Sequence, residues 1–189
     1  MLAFIEIQNE NSVVKELIEN FKENIDKLET SFKESLVDYF KNSDYENANK
    51  EIQITLINKE NDIDKVYTGR GFYIILTQHE FSDNNCSFEL HNQTAIYRGH
   101  SHSVRKRILS HLSNGRYHSL RKSNEPEYTV CIKIKDGDKG GINIDEKPYS
   151  NWKWMVVVHK MIGSKQIMRE QAEHAFDTVY GKPCKSKEK

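Results

Sequence analysis

The sequence predicts an α/β protein of the α+β kind, in which helices flank a small, mixed but mostly antiparallel sheet and a long amphipathic helix forms the N-terminus. Between Ser12 and about Asn42, apolar residues recur at spacings of three and four, which is a helical period. After that segment the pattern changes to short apolar runs rich in β-branched residues, which favour strands.

The N-terminal helix carries one apolar stripe, with Glu and Lys on its other face. A helix of this kind either covers the sheet of its own chain or pairs with a second copy to form a homodimer. The stripe consists of Val14, Ile18, Phe21, Ile25, Leu28, Phe32, Leu36 and Phe40.

The remaining elements follow from short apolar runs and turn residues. Helices are predicted at 103–112 and 164–180, the second ended by Gly181 and Pro183, which are common helix stops. Strands are predicted at 52–57, 72–76, 87–90, 95–97, 129–134 and 152–159. The predicted organisation is an N-terminal helical appendage (1–65), a catalytic α/β domain (66–183) and a basic tail (184–189).

Composition excludes several classes of protein. The chain has 189 residues, no apolar run that approaches the length of a membrane span, and three widely spaced cysteines without a CxxC pair. We therefore expect a cytoplasmic protein with no membrane partner, reduced thiols and no cysteine-based zinc site.

Charge is unevenly distributed although the net charge is zero. The segment 98–122 contains no Asp or Glu, and a segment of one sign is suited to binding a phosphate backbone. A solvated basic face is the alternative. The candidate nucleic-acid-binding residues in this segment are Arg98, His100, His102, Arg105, Lys106, Arg116, Arg121 and Lys122.

Four features follow one another on predicted elements of the right type. Gly71-Phe72-Tyr73 lies on a strand, Tyr97-Arg98-Gly99 on the next, Arg107 and His111 on the following helix, and Glu173 on the last helix. In this order they resemble the GIY-YIG nuclease family, including its restriction-enzyme members. The resemblance covers roughly residues 69–183.

The resemblance implies a metal-dependent endonuclease, a hydrolase that cuts phosphodiester bonds. Glu173 would bind Mg²⁺ (or Mn²⁺), with Glu170 as the competing ligand, and Arg107 would hold the scissile phosphate. Tyr73 would act as general base, its pKa lowered by the metal and Arg107, and Tyr97 would orient the water. His111 would relay a proton or hold Tyr73.

The most favoured substrate is double-stranded DNA, cut by a site-specific restriction or defence nuclease. The alternatives are a nucleic-acid-binding protein that no longer cuts, and a homing or repair nuclease. Two weaker patterns remain: a zinc site at His100, His102 and His111 or His118, and base stacking by Trp152 and Trp154, which would share one strand face as core residues or as a platform.

Overall fold

The computed structural model describes residues 2–47, 49–124, 127–128, 131–134 and 141–186, with side chains from residue 13 onward. Its elements, in chain order, are α1 (Leu2–Asn42), β1 (Ile52–Ile57), a short 3₁₀ helix (Glu60–Lys65), β2 (Gly71–Thr77), β3 (Glu89–Leu90), β4 (Gln93–Ser101), α2 (Val104–Leu112), α3 (Asn114–Leu120), a second 3₁₀ helix (Tyr149–Asn151), β5 (Trp154–Lys160) and α4 (Gln166–Tyr180).

The five strands form one antiparallel sheet in the order β1-β5-β2-β4-β3. The centre of the sheet is β2, whose Tyr73 is paired with Gly99 of β4 on one side and Val158 of β5 on the other. A bulge between Ile75 and Leu76 shifts the register of β2 against β4. The predicted fold class, a small antiparallel sheet flanked by helices, is confirmed.

Each face of the sheet carries its own core, because successive side chains of a strand point to opposite faces. On one face Tyr73 and Ile75 pack with Ile108 of α2. On the other face Phe72 packs with Phe176 of α4. The two helices that carry the predicted catalytic residues therefore lie on opposite faces of the sheet.

The C-terminal half of α1 joins the second core. Phe40 is 1% exposed and its ring meets those of Phe72 and Phe176 edge-on. The sheet also extends into the predicted appendage (1–65), since β1 pairs with β5 along its whole length. Although α1 is long, no helix in the part of the chain that the structure describes has the length and apolar character to cross a membrane.

Several predicted elements are corrected. Helix α1 begins at Leu2 rather than near Ser12, and α3 was not predicted. Residues 131–134 of the strand predicted at 129–134 are irregular, while residues 129 and 130 lie outside the described residues. Strand β5 starts at Trp154, so Trp152 precedes the strand, but the two tryptophan rings lie on one side as predicted, stacked at 5.5 Å and packed in the same core.

Candidate active site

Four of the five predicted catalytic residues form one cluster between the sheet and α2. Helix α2 presents Arg107 and His111 one turn apart on the face that packs on the sheet. Strands β2 and β4 contribute Tyr73 and Tyr97, whose rings lie 6.1 Å apart and nearly parallel. Gly99 leaves room for the Tyr73 ring, since a Cβ there would lie 2.6 Å from the Tyr73 hydroxyl.

Two hydrogen bonds determine which nitrogen of His111 carries the proton. The Ile132 backbone N–H donates to His111 Nδ1 at 3.0 Å, and His111 Nε2 lies 2.9 Å from Tyr73 Oη. Burial holds the pKa of His111 well below its usual 6.5, with the charge of Arg107 acting in the same direction. The neutral ring therefore accepts at Nδ1 and donates from Nε2 to the Tyr73 oxygen.

The two phenols lie beside the guanidinium of Arg107, whose positive charge acts on both Tyr73 and Tyr97. Burial raises the pKa of both hydroxyls above 10.0, and Arg107 opposes that shift. From the protein's own groups alone, desolvation of the fully buried Tyr73 phenol outweighs one nearby cation, so the predicted lowering would need the metal ion as well as Arg107. Of the two, Tyr97 is the one that retains exposed surface, at 7% against 0%.

Glu173 lies on the other side of β4 in a charged network. Its carboxylate accepts hydrogen bonds from Arg98 Nη1 at 2.6 Å and from His100 Nδ1 at 2.8 Å. Asp177, one turn further along α4, accepts two more from Arg98, at 3.0 and 2.6 Å. Arg98 is thus a buried link between two carboxylates, rather than a side chain directed at the predicted nucleic acid.

The carboxylate and the phenol cluster face each other across one strand. Arg98 and His100 alternate on β4 with Tyr97 and Gly99, and β3 pairs with β4 only at its first two residues, 93 and 94. The negative charge of Glu173 contributes to the raised pKa of both Tyr73 and Tyr97. Glu173 therefore lies within electrostatic range of the phenols, around the edge of β4.

A segment after α3 covers the cluster. The Tyr128 ring lies over the Arg107 guanidinium, with 4.8 Å between the guanidinium carbon and the ring centre. Ile132 is buried beside His111. Arg107 is itself only 9% exposed, so a phosphate that reached its guanidinium would have to displace the Tyr128 ring.

The predicted nucleic-acid-binding residues divide into two groups. Some contact acceptors of the protein itself: Arg98 and His100 as above, Arg105 through its Nε to the Val66 carbonyl at 2.7 Å, and Arg116 to Asp64 at 2.8 Å. Arg121 also pairs with Glu127, at 3.4 Å. Others lie at or near the surface on the α2–α3 side, where Arg105, Lys106 and Arg121 line, together with Asp64, an open cavity of about 260 Å³. His102 and Lys122 are exposed.

The acids that meet Arg116 come from the predicted appendage. Both carboxylate oxygens of Asp64 accept hydrogen bonds from the Arg116 guanidinium, and the backbone carbonyl of Glu60 accepts a further one at 3.3 Å. The acidic excess of residues 1–65 and the basic excess of residues 98–122 therefore offset each other in part within the folded chain. The basic segment is less available to an external polyanion than its sequence suggests.

The donor set fits a hydrated Mg²⁺ better than a zinc ion. Among the described residues no three His, Cys, Asp or Glu side chains are grouped to hold a metal, whereas zinc in proteins takes three or four protein ligands. Mg²⁺ keeps several waters and needs only one or two carboxylates. Glu173 offers a carboxylate that is 15% exposed beside Asp177. Glu170 accepts a hydrogen bond from Gln166.

Sequence reasoning missed Asp177, Tyr128 and the Ile132 backbone. The position of Asp177, four residues after Glu173 on a predicted helix, was the one available signal. Tyr128 and Ile132 are brought to the cluster by irregular backbone, for which the sequence has no periodic signal. Trp152, predicted as core or platform, stacks on His79 with 3.8 Å between ring centres.

Comparison with known proteins identifies no relative of this chain. Family models, curated proteins and solved structures were all searched, and none of them matches this chain.

Proposed function

We propose that the protein is a metal-dependent endonuclease that hydrolyses DNA phosphodiester bonds. The observation that carries the proposal is the cluster of Tyr73, Tyr97, Arg107 and His111, with Glu173 in electrostatic range. The sequence alone had placed these residues on four separate elements, which are β2, β4, α2 and α4. Two phenols, a guanidinium and a carboxylate are the groups that in-line hydrolysis of a phosphate diester can use.

Arg107 binds the non-bridging oxygens of the scissile phosphate in this scheme. Its planar fork suits phosphate geometry, and its charge offsets the negative charge that develops in the transition state. The Ser110 hydroxyl and the Tyr128 ring contact the guanidinium beside the two phenols. Displacement of the Tyr128 ring exposes the face of the guanidinium that takes the phosphate.

The phenols lie in one cluster with His111. His111 Nε2 donates to the Tyr73 oxygen, so the Tyr73 proton is directed to another acceptor. The Tyr97 ring stacks beside the Tyr73 ring and is the one with exposed surface. We therefore assign the orientation of the attacking water to Tyr97, whose neutral hydroxyl can accept a hydrogen bond from it, and the positioning of the Tyr97 ring to Tyr73.

Glu173 is the residue proposed to hold Mg²⁺ (or Mn²⁺), a cation that neutralises charge on the phosphate and on the leaving oxygen when it is bound. Arg98 and His100 orient the carboxylate from one side. Asp177 holds Arg98 in place by two hydrogen bonds. Because Arg98 is itself bonded to this carboxylate, a metal ion would share Glu173 with the guanidinium.

Double-stranded DNA is the proposed substrate, and a restriction or defence role is the proposed biology. The surface available to the DNA backbone is the one around Lys106, Arg105 and Arg121 on α2 and after α3. A second candidate is a nucleic-acid-binding protein that does not cut. The observation in its favour is the cover of Tyr128 and Ile132 over Arg107 and His111.

The test is cleavage of supercoiled plasmid, linear duplex DNA and single-stranded RNA in Mg²⁺, in Mn²⁺ and in EDTA. The variants are Arg107→Ala and Glu173→Gln, with Glu170→Gln as the matched control one turn away on α4. We expect metal-dependent DNA fragments from the wild type and from Glu170→Gln. Loss of the Arg107 or Glu173 side chain should slow cutting by a factor of at least about 100.

Each result decides between specific alternatives. Discrete fragments would indicate a site-specific nuclease, and a smear a nonspecific one. Cutting by Arg107→Ala at the wild-type rate would refute the active-site assignment. Salt-sensitive DNA binding without cutting of any substrate would instead favour the binding protein. Loss of activity in Glu170→Gln but not in Glu173→Gln would move the metal to Glu170.

A further inference from the structure

The N-terminal half of α1 exposes an apolar surface that no part of the described chain covers. Every residue from 13 to 28 is exposed, and the large apolar side chains among them are 36% to 70% exposed. A 16-residue stretch of α-helix is about 24 Å long. The residues are Val13, Val14, Leu17, Ile18, Phe21, Ile25 and Leu28.

The spacing of the central five residues is that of a coiled-coil seam. Val14, Ile18, Phe21, Ile25 and Leu28 follow one another at intervals of four, three, four and three, which is a repeat of 3.5 residues. Ile18 and Ile25 then occupy a positions, and the other three occupy d positions. A seam with this period matches a partner that is itself a helix with the same repeat.

The same stripe is already an interface further along α1. Leu36 and Phe40 continue it and pack on the domain, and Gln171 of α4 donates to Glu29 at 3.0 Å. The chain's own domain therefore covers the stripe from about Glu29 onward. Residues 13–28 form the part of a continuous apolar face that extends beyond that domain.

We propose that a second copy of this chain covers residues 13–28, the two helices lying antiparallel. From Glu29 onward, each domain lies on the stripe side of its own helix. In a parallel pair the two domains would therefore compete for the same space between the helices. In an antiparallel pair each domain lies at its own end. The proposal does not depend on nuclease activity.

One antiparallel register places four of the five seam residues in contact with the other copy's seam, and Val14 then lies opposite Phe32 of the partner subunit. It pairs Ile18 with Leu28 of the partner subunit, and Phe21 with Ile25 of the partner subunit, each a position facing a d position. The same register brings Lys15 next to the partner subunit's Glu29 at both ends. Opposite charges at such flanking positions favour the pairing.

The area of the surface agrees with that of a dimer interface. The seven exposed side chains offer roughly 700 Å² of apolar surface per copy, close to the ~800 Å² per partner of a standard specific interface. An exposed apolar patch of this size marks an interaction site on most soluble proteins.

The first experiment measures the mass of the full-length protein in solution by light scattering coupled to gel filtration, over a range of loading concentrations. We expect a dimer for the wild type and a monomer for Phe21→Glu. The matched control is Asn20→Glu, which adds the same charge at the neighbouring exposed residue, away from the seam. A wild-type monomer at about 100 μM, far above the Kd of specific interfaces of this area, would overturn the proposal.

The second experiment tests the orientation by cysteine cross-linking. Ile18→Cys and Leu28→Cys chains are oxidised separately and as a mixture, and the products are mapped by mass spectrometry. An antiparallel pair gives a disulfide between the two variants in the mixture and none in either variant alone. Disulfide dimers of Ile18→Cys alone would show a parallel pair and refute the proposed arrangement. Because Phe21, Ile18 and Leu28 are exposed, these changes leave the domain core intact.

Discussion

Replacement of His159 should remove a large part of the protein's sensitivity to mild acid. His159 lies on β5, is 3% exposed and is surrounded by the rings of Tyr39, Phe40, Tyr45 and Phe72. Its Nδ1 lies 2.9 Å from the Tyr39 hydroxyl. Burial lowers its pKa from 6.5 to about 3, because an imidazolium in this apolar site would lose its hydration.

The shift determines both the sign and the size of the effect. Since the folded-state pKa lies below the unfolded value, the stability linked to His159 is complete above pH 6.5 and is lost as the pH falls toward about 3. Each pKa unit corresponds to about 1.36 kcal/mol. Between pH 7.5 and pH 5 the free energy of unfolding should therefore decrease by about 2 kcal/mol through His159 alone.

The measurement is urea unfolding followed by circular dichroism at both pH values, on the wild type, His159→Gln and His159→Phe. Gln keeps hydrogen-bonding capacity towards Tyr39, and Phe keeps the aromatic packing, but neither titrates. Each variant should lose about 2 kcal/mol less stability than the wild type over this interval. His111 contributes in the same direction, so some pH dependence remains. An equal decrease in wild type and both variants would refute the reasoning.

Two further changes test the network and the cluster. Asp177→Asn removes a charged partner from the buried Arg98 and should lower the free energy of unfolding by about 1–3 kcal/mol in urea unfolding at pH 7; an unchanged midpoint would show that Arg98 does not need this carboxylate. Gly99→Ala places a Cβ 2.6 Å from the Tyr73 hydroxyl and should cost about 1–3 kcal/mol. Gly115→Ala, where the nearest atom would be 3.4 Å away, should change the thermal midpoint little, and equal effects of the two glycine variants would contradict the packing argument.

The periodic parts of the fold were predictable because they repeat a local signal. The apolar runs at β1, β2 and β5 and the helical stripe of α4 predicted those elements within a few residues, and the stripe of α1 predicted the end of that helix but not its start at Leu2. The irregular segment at 131–134 was predicted as strand, because an apolar run resembles a strand whether or not it pairs. An apolar run becomes a strand of this sheet only if it pairs with a neighbouring strand, as β5 does with both β1 and β2.

The candidate site was predictable as a set of residue types and not as a set of contacts. Tyr73, Tyr97, Arg107 and His111 were selected from their order along the chain, and they form one cluster. The pKa of Tyr73 was predicted to be lowered by a metal ion together with Arg107, whereas burial by itself raises it. The sequence shows which groups carry charge, but not how completely a fold removes a phenol from water.

The basic segment 98–122 shows that the sequence also does not reveal which charges are paired in the folded protein. Its lack of Asp and Glu over 98–122 is a property of the sequence, and it indicated a surface for phosphates. Folding brings Asp64, Asp177 and Glu173 from distant parts of the chain to Arg116 and Arg98. Ion pairs between residues so far apart in sequence leave no local pattern.

The sequence by itself determined the fold class, the amphipathic helix and the residue types of the candidate site, because each depends on spacing along one segment. The tertiary structure alone decided that Arg98 is a buried link, that Tyr128 covers Arg107 and that the apolar stripe of α1 is covered only from about Glu29 onward. Burial and long-range contacts depend on how segments pack in three dimensions, and the order of residues along the chain does not specify that packing locally.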